Sequence, residues 1–333
     1  MTASPANPPD FSLVIPVYNE EAVLPLLFAR LDAALPAMGR TYEVVFVNDG
    51  SRDRSAQLLK EYHEHHPSHV RVVLLGVNCG QHNAIIAGFL IACGRYVITI
   101  DADLQTPPEE ISKLLEQLDK GFDYVGSIRR QRHDIAWRRW ASRLINQLRE
   151  RITSVHMTDH GCMLRGFHRS IIQAILASSE TITFLPALAY LFSARPVEIE
   201  VEHTHRVAGT SKYSLAKLIR LNFDLMTGFS TLPLHVFSLV GMGISLSSLL
   251  FVFYMAWRRL VLGPEVEGVF TLFGILFFLV GICLFGIGLL GEYVGRIYQQ
   301  VRKRPRFMVD RVLGAPSEPL RAYALGNHWE ETP

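Results

Sequence analysis

The stretch Y-V-I-T-I-D-A-D-L-Q-T-P-P-E-E, Tyr96–Glu110, carries the fold in miniature. Tyr96–Ile100 is a run of strand type, apolar but for Thr99, and two carboxylates follow it, Asp101 and Asp103. Thr106-Pro107-Pro108-Glu109 then has the form of a capping box with proline at the helix start. Continuous apolar strands are the mark of a parallel sheet covered on both faces. The same grammar recurs upstream. Ser12–Pro16 leads into Tyr18-Asn19-Glu20, with Asn19 expected to cap a helix from Glu20. Tyr42–Val47 leads into Asn48-Asp49-Gly50-Ser51 and a helix over Arg54–Glu64. Val70–Leu75 leads into N-C-G-Q-H-N, Asn78–Asn83, and a helix over Asn83–Cys93. Tyr124–Ser127 is a fifth strand. This alternation predicts a mostly parallel α/β sheet, whose ligands bind at the carboxyl ends of its strands. All four polar clusters fall at such ends.

The pair Asp101/Asp103 is the most informative of these clusters. Two carboxylates just past a strand suit a hard divalent cation whose coordination is completed by substrate phosphates. A loop whose aspartates cap the next helix would use the same residues. Register with three other polar strand ends favours the cation. After Arg129 the alternation fades. An arginine-rich amphipathic helix is expected over Trp137–Ile152, a strand over Glu198–His203, and a membrane-surface helix over Ser214–Asp224. The arginines Arg129, Arg130, Arg132, Arg138, Arg139 and Arg143 suit both lipid headgroups and an acceptor phosphate. His63, His65, His66 and His69 read as a solvated helix end. For His82, a structural hydrogen bond and a ligand contact both stay open.

The chain has 333 residues, 49% hydrophobic and 19% charged, with a net charge of +2, which is too small for a nucleic-acid binder. Cys79, Cys93, Cys162 and Cys283 show neither metal spacing nor a disulfide framework, which points to a reducing compartment. No signal peptide is read in the polar, proline-rich start. Leu225–Trp257 and Gly268–Gly291 contain no Asp, Glu, Lys or Arg. A bilayer core about 30 Å thick needs roughly 20 apolar helical residues, so both runs predict spans, forming a hairpin. Arg296, Arg302, Lys303, Arg304 and Arg306 on one side, and Lys212, Lys217 and Arg220 on the other, place both termini in the cytoplasm. Close glycines at Gly281, Gly286, Gly288 and Gly291 favour tight helix packing. The expected layout is a flexible start (1–10), a catalytic domain (11–213), an interfacial helix (214–231), spans at 232–257 and 268–291, and a cytoplasmic juxtamembrane segment and tail (292–333), loosely ordered after Arg311.

Taken in order, V-I-P-V-Y-N-E (Val14–Glu20), N-D-G-S (Asn48–Ser51), G-Q-H-N-A (Gly80–Ala84) and D-A-D-L-Q (Asp101–Gln105) resemble the family-2 inverting glycosyltransferases of GT-A fold. D-H-G-C-M-L-R (Asp159–Arg165), H-R-V-A-G-T-S-K-Y-S (His205–Ser214) and G-E-Y-V-G-R-I-Y (Gly291–Tyr298) are similar to the polyprenyl-phosphate members. The resemblance implies that Pro16, Tyr18, Glu20, Asp49 and Gln81 line the nucleotide-sugar pocket. It places Asp101, Asp103 and Gln105 around Mg²⁺ or Mn²⁺. Arg206 and Lys212 would clamp the diphosphate, with Gly209 as the flexible turn, and Arg129, Arg138 (or Arg139) and Ser142 would grip the lipid phosphate. Asp159 is the candidate for an additional active-site carboxylate. Cys79 stands where relatives carry tyrosine.

The implied reaction is inverting transfer of a sugar from a UDP-sugar to undecaprenyl phosphate at the cytoplasmic face of the bacterial inner membrane. 4-Deoxy-4-formamido-L-arabinose, for lipid A modification, is the implied sugar. Glucose, glucosamine or another hexose(amine) is the alternative, and a homo-oligomer, as large as a tetramer, is implied. A processive polysaccharide synthase would need a Q-x-x-R-W pattern, which the sequence lacks. An inactive membrane-tethered nucleotide-sugar-binding protein is the alternative of another class. The retained Asp101, Asp103 and Arg206 argue against it.

Overall fold

The structure is a computed structural model that describes residues 8–129, 158, 162–178, 184–203, 232–262, 269–301 and 305–315. It divides into two units, one made of residues 1–139, 155–212 and 303–333 and the other of residues 140–154 and 213–302.

The first unit is built on one eight-stranded sheet. The strands are β1 (Phe11–Val17), β2 (Tyr42–Asn48), β3 (Val70–Leu75), β4 (Tyr96–Thr99), β5 (Tyr124–Arg129), β6 (Arg165–His168), β7 (Pro196–Val201) and β8 (Val309–Leu313), in the spatial order β7-β5-β6-β4-β1-β2-β3-β8. β1, β2, β3 and β4 run parallel, as do β5 and β7; β6 and β8 run against their neighbours. The mostly parallel α/β sheet read from the sequence is therefore present. The helices are α1 (Leu24–Ala37), α2 (Ser55–His65), α3 (Gln81–Ile91), α4 (Ile111–Asp119), α5 (Arg169–Ala177) and α6 (Leu185–Phe192).

Strand alternation splits the core between the two faces. Leu13, Ile15, Phe46, Val72 and Ile98 pack with Leu27, Leu31 and Leu114 on one face. On the other, α3 lies so close to the sheet that a Cβ on Gly88 would come within 2.4 Å of Val14 and 3.1 Å of Val47, so only glycine fits there. Pro16 sits inside the central strand β1, where a missing N–H ordinarily breaks a ladder. Here Ile100 donates to Val14 O while Asp49 donates to Val17 O, which turns the Pro16 nitrogen toward β4, beyond the last residue of that strand. No ladder bond is lost.

Three local expectations change. Asn19 does not cap a helix, because α1 begins at Leu24 and Asn19 sits at φ 56°, tied to the next loop. The box at Thr106–Glu109 is not formed. A short 3₁₀ turn, Pro108–Glu110, precedes α4 without a side-chain cap, and proline supplies the helical start. The tail expected to be loosely ordered after Arg311 begins inside a strand, because β8 runs to Leu313 and pairs antiparallel with β3, with Phe307 just before it 2% exposed. His63, His65 and His66 each turn Nδ1 to a carbonyl, those of Val70, Glu61 and Tyr62, so three of the cluster secure the end of α2.

The second unit contains two long helices, α7 (Leu232–Leu262) and α8 (Val269–Val301). Within α8, Ile275–Gly295 has 21 residues of mean hydropathy 2.4, long and apolar enough to cross a membrane. In α7 the apolar stretch detected among the described residues, Leu234–Ile244, is shorter. The helices touch where the Phe237 ring occupies the space a Cβ on Gly286 would fill, 2.1 Å away, and Phe237 lies 5.8 Å from Phe285. Of the four glycines read as packing residues, Gly286 serves that purpose. Gly281, Gly288 and Gly291 face open space.

The β8 anchor gives a direct test. Phe307→Ala empties a buried aromatic site and should cost about 3–4 kcal/mol, read as a lowered denaturation midpoint of the detergent-solubilised chain. A midpoint equal to wild type would show that Phe307 does not hold β8 to the sheet.

Candidate active site at the strand ends

The site is assembled by the loops themselves. Register places Val17 opposite Asn48, Asn48 opposite Leu74, and Val14 opposite Thr99, so the polar segments after β1, β2, β3 and β4 emerge along one edge. The first two are laced together. Asn19 N donates to Ser51 Oγ at 3.0 Å, Arg52 N to Asn19 Oδ1 at 2.8 Å, and Glu20 N to Ser55 Oγ at 2.9 Å. Glu21 N donates to Asp53 Oδ2 at 3.1 Å, and Arg54 N returns the contact to Glu21 Oε2 at 2.9 Å.

Asp49 joins the second loop to the third. Its carboxylate is 3% exposed and accepts from Cys79 N (2.8 Å), Cys79 Sγ (3.0 Å), Gly80 N (3.0 Å) and Asn78 Nδ2 (3.0 Å). Burial and the Asp49 carboxylate raise the Cys79 thiol pKa, so the sulfur stays protonated and donates. That is the role of Cys79, for which the sequence offered no account. Gly50, at φ +64°, is needed at the same point, because a Cβ would meet Asn78 N and Val77 C at 2.6 Å. Asp49 was expected to face the nucleotide. The structure brings it to the strand ends but commits both carboxylate oxygens to bracing the third loop.

The third loop leads into α3 through Gly80, at φ +90°, without a side-chain cap. Gln81, its first residue, donates from Nε2 to Asp101 Oδ1, linking the third loop to the fourth. Within the fourth loop Asp103 Oδ1 accepts from Gln105 N at 3.1 Å, and Leu104, buried and at φ 57°, folds the turn tightly between the two acids. Asp101, Asp103 and Gln105 are all partly exposed. Among the described residues no group of three His, Cys, Asp or Glu side chains converges to hold a metal. A pair of carboxylates leaves coordination positions for phosphate oxygens and water, which suits Mg²⁺ or Mn²⁺ and does not suit a closed structural zinc site. Tyr18 is 43% exposed, which leaves its ring open for stacking, and Pro16 is buried.

Residues missed in the sequence cluster around Arg165, and His82, whose role the sequence left open, lies within reach of the same charge. Arg165, at 1% exposure, opens β6 opposite Thr99 and donates from Nη1 to Tyr124 Oη. Burial raises the Tyr124 hydroxyl pKa. Gly126 makes room beside it, since a Cβ there would lie 3.5 Å from both Arg165 Nη1 and Glu198 Oε1. Glu198 in turn accepts from Thr158 N through both oxygens at 3.1 Å. On α3, His82 stacks edge-on against Phe184, with centroids 5.6 Å apart. Burial, with Arg165 adding to it, pushes the His82 pKa down to about 4. Arg165 lay within a quoted motif, but nothing in its spacing marked it as buried. Asp159, Arg206, Lys212, Arg138 (with Arg139), Ser142 and the side chain of Arg129 lie outside the described residues.

His82 predicts an acid-side loss of stability. The folded chain leaves the imidazole neutral down to about pH 4, while the unfolded chain protonates it near its ordinary value of about 6.5. Its contribution is therefore complete above about pH 6.5 and is lost as the pH falls toward 4, by about 2–3 kcal/mol. Denaturation midpoints measured across that range should fall more steeply for wild type than for His82→Gln. Parallel profiles would refute the assignment.

Comparisons with known proteins follow the same lines. Residues 12–176 match the model for glycosyl transferase family 2. The chain is 51% identical over 311 residues, 93% of its length and 92% of the relative's, to the undecaprenyl-phosphate 4-deoxy-4-formamido-L-arabinose transferase of Pseudomonas aeruginosa (strain LESB58). It is 49% identical over 304 residues, 91% of its length and 92% of the relative's, to the enzyme of the same name from Shewanella sediminis (strain HAW-EB3). Among solved structures it is similar to glucosyl-3-phosphoglycerate synthase from Mycobacterium tuberculosis in complex with Mn²⁺, UDP-glucose and phosphoglyceric acid. That likeness has a TM-score of 0.45 and 15% identity, covering 66% of this chain and 78% of the other. With half its sequence shared across nearly its whole length, the chain belongs to glycosyltransferase family 2 and is a glycosyltransferase.

Proposed function

We propose that this enzyme transfers a sugar from a UDP-sugar to undecaprenyl phosphate with inversion, and that the sugar is 4-deoxy-4-formamido-L-arabinose, for lipid A modification. The observation that carries the reading is the bonded chain of four strand-end loops ending on Asp101 and Asp103, in a chain half identical to transferases of that name. Asp101 and Asp103, with Gln105 beside them, would hold Mg²⁺ or Mn²⁺, which when bound supplies Lewis-acid neutralisation of the diphosphate. Pro16, Tyr18, Glu20 and Gln81 line the nucleotide side, and Asp49 acts by holding the loop that presents Gln81.

The acceptor is a phosphate monoester, ionised at neutral pH, so it attacks the anomeric carbon without a general base. The chain has to bring two anions together. Arg206 and Lys212 neutralise the donor diphosphate, while Arg129, Arg138 and Ser142 grip the lipid phosphate, arginine doing so through paired hydrogen bonds. Asp159 orients the sugar or acceptor and abstracts no proton. Catalysis is then mainly positioning and electrostatics. The helices α7 and α8 form a hairpin in the bacterial inner membrane with both termini cytoplasmic, and the protein assembles as a homo-oligomer of up to four copies.

A donor panel tests this reading. Purified enzyme, undecaprenyl phosphate and Mn²⁺ are incubated with several UDP-sugars, and the lipid extract is read by mass spectrometry. The expected product is the formamido-arabinose phosphate lipid. Product from glucose or glucosamine instead would move the sugar and keep the reaction, and no lipid product from any donor would overturn it. In the same assay Asp103→Asn should lower turnover at least a hundredfold, about 3 kcal/mol of transition-state stabilisation, with weakened Mn²⁺–UDP binding. Wild-type turnover in that variant would remove Asp103 from the site.

A further inference from the structure

His82 is the second residue of α3, next to Gln81, which bonds Asp101, and the helix start that carries it stands at the strand-end edge. Its ring is half-buried against Phe184. The two ring nitrogens have different fates. Nδ1 is sealed from solvent with no hydrogen-bond partner among the described residues, whereas Nε2 keeps access to solvent. The Arg165 cation lies close enough to disfavour a second positive charge on this ring.

These facts fix the tautomer. A neutral imidazole carries one proton. Placing it on Nδ1 would bury an unsatisfied N–H donor in the neighbourhood of a cation. Placing it on Nε2 leaves Nδ1 as a buried lone pair and puts the N–H on the nitrogen that keeps access to solvent. A histidine with no internal partner for either nitrogen contributes little to holding the fold by hydrogen bonding, yet it directly follows Gln81, which bonds Asp101, and its ring is held against Phe184. A neutral imidazole beside an anion site donates a hydrogen bond without bringing in another ionisable charge.

We propose that His82 donates a hydrogen bond from Nε2 to an oxygen of the bound nucleotide-sugar, either of the diphosphate or of the transferred sugar. This rests on the UDP-sugar reading above, and the two can fail separately. The experiment measures Mn²⁺–UDP binding, Mn²⁺–UDP-sugar binding and kcat/KM for wild type, His82→Phe, His82→Asn and His82→Gln, with a denaturation midpoint for each. The UDP-sugar used is the one that turns over in the donor panel. Phe keeps the stacking without a donor, Asn places its amide at the Nδ1 position, and Gln places it at the Nε2 position.

The expected result is a loss of about ten- to hundredfold in kcat/KM for Phe and Asn, with most of it restored by Gln. A loss shared by UDP and UDP-sugar binding identifies a diphosphate oxygen. A loss confined to the UDP-sugar identifies a sugar oxygen. Equal activity in wild type and His82→Phe overturns the proposal, as does an equal loss in all three variants that tracks a fallen midpoint. Wild type that binds neither UDP nor any UDP-sugar overturns the underlying functional reading instead. A second readout needs no turnover: ¹⁵N-histidine spectra, assigned by comparison with His82→Phe, should show the Nε2–H tautomer, and a proton on Nδ1 or a doubly protonated ring at neutral pH overturns the proposal.

Discussion

One buried carboxylate organises the strand-end edge. Asp49 accepts four bonds from three consecutive residues, Asn78, Cys79 and Gly80, and its own N–H is spent on Val17 O. A carboxylate at this depth is stable only when its oxygens are satisfied, so the third loop is obliged to wrap around it. That wrapping sets where α3 starts, and the start of α3 sets where Gln81 meets Asp101. The loops after β1 and β2 are interlocked by side-chain-to-backbone bonds in both directions. Four segments that are far apart in sequence thus behave as one surface. A metal–diphosphate complex needs such a surface, because its ligands must be held before it arrives.

Much of this surface was legible in the sequence because strands and their polar ends are local features. Val70–Leu75 was bounded to the residue, and the other parallel strands to within a few residues, since apolar runs stop where burial stops. The chemistry-bearing residues lay where the runs ended. What was not legible depends on partners distant in the chain. Asn19 has the composition of a cap, yet its side chain goes to Arg52. Cys79 looked like an unexplained exchange until the Asp49 carboxylate beside it made the thiol a donor. Arg165 gave no periodic signal, because a charged residue at the first position of an antiparallel strand reads as a turn residue until Tyr124 and Glu198 are found around it. β8 was missed because five residues flanked by basic and proline-rich sequence resemble a tail. Only the free edge of β3, which an unpaired strand would leave open, explains why they are ordered.

The return of the chain to that edge has a consequence for the whole polypeptide. β8 comes after α8 in sequence, so the first unit is completed only once both long helices have been made. Phe307 is buried and Gly76 N donates to Met308 O, placing the anchor directly beside the end of β3. The sheet that presents the site therefore includes residues from both sides of the helical segment. A fragment ending before the helices would leave β3 as an exposed, strongly apolar edge, the arrangement that invites pairing between molecules.

The electrostatics of the described residues agree with a reaction that needs no base. A transferase acting on a neutral hydroxyl requires a group near the operating pH to take its proton. His82, held near pH 4, binds protons too weakly for that task at neutrality, and the carboxylates along this edge are engaged with Cys79, Gly80, Gln81 and Gln105. Among the described residues the edge offers donors, the amide of Gln81 and the ring of His82, with the buried Arg165 guanidinium near that ring. Such a set does little for proton abstraction. It is suited to holding a diphosphate while an already ionised phosphate approaches, and at neutral pH the His82 imidazole stays uncharged, chiefly through its burial and further through the nearby Arg165 cation.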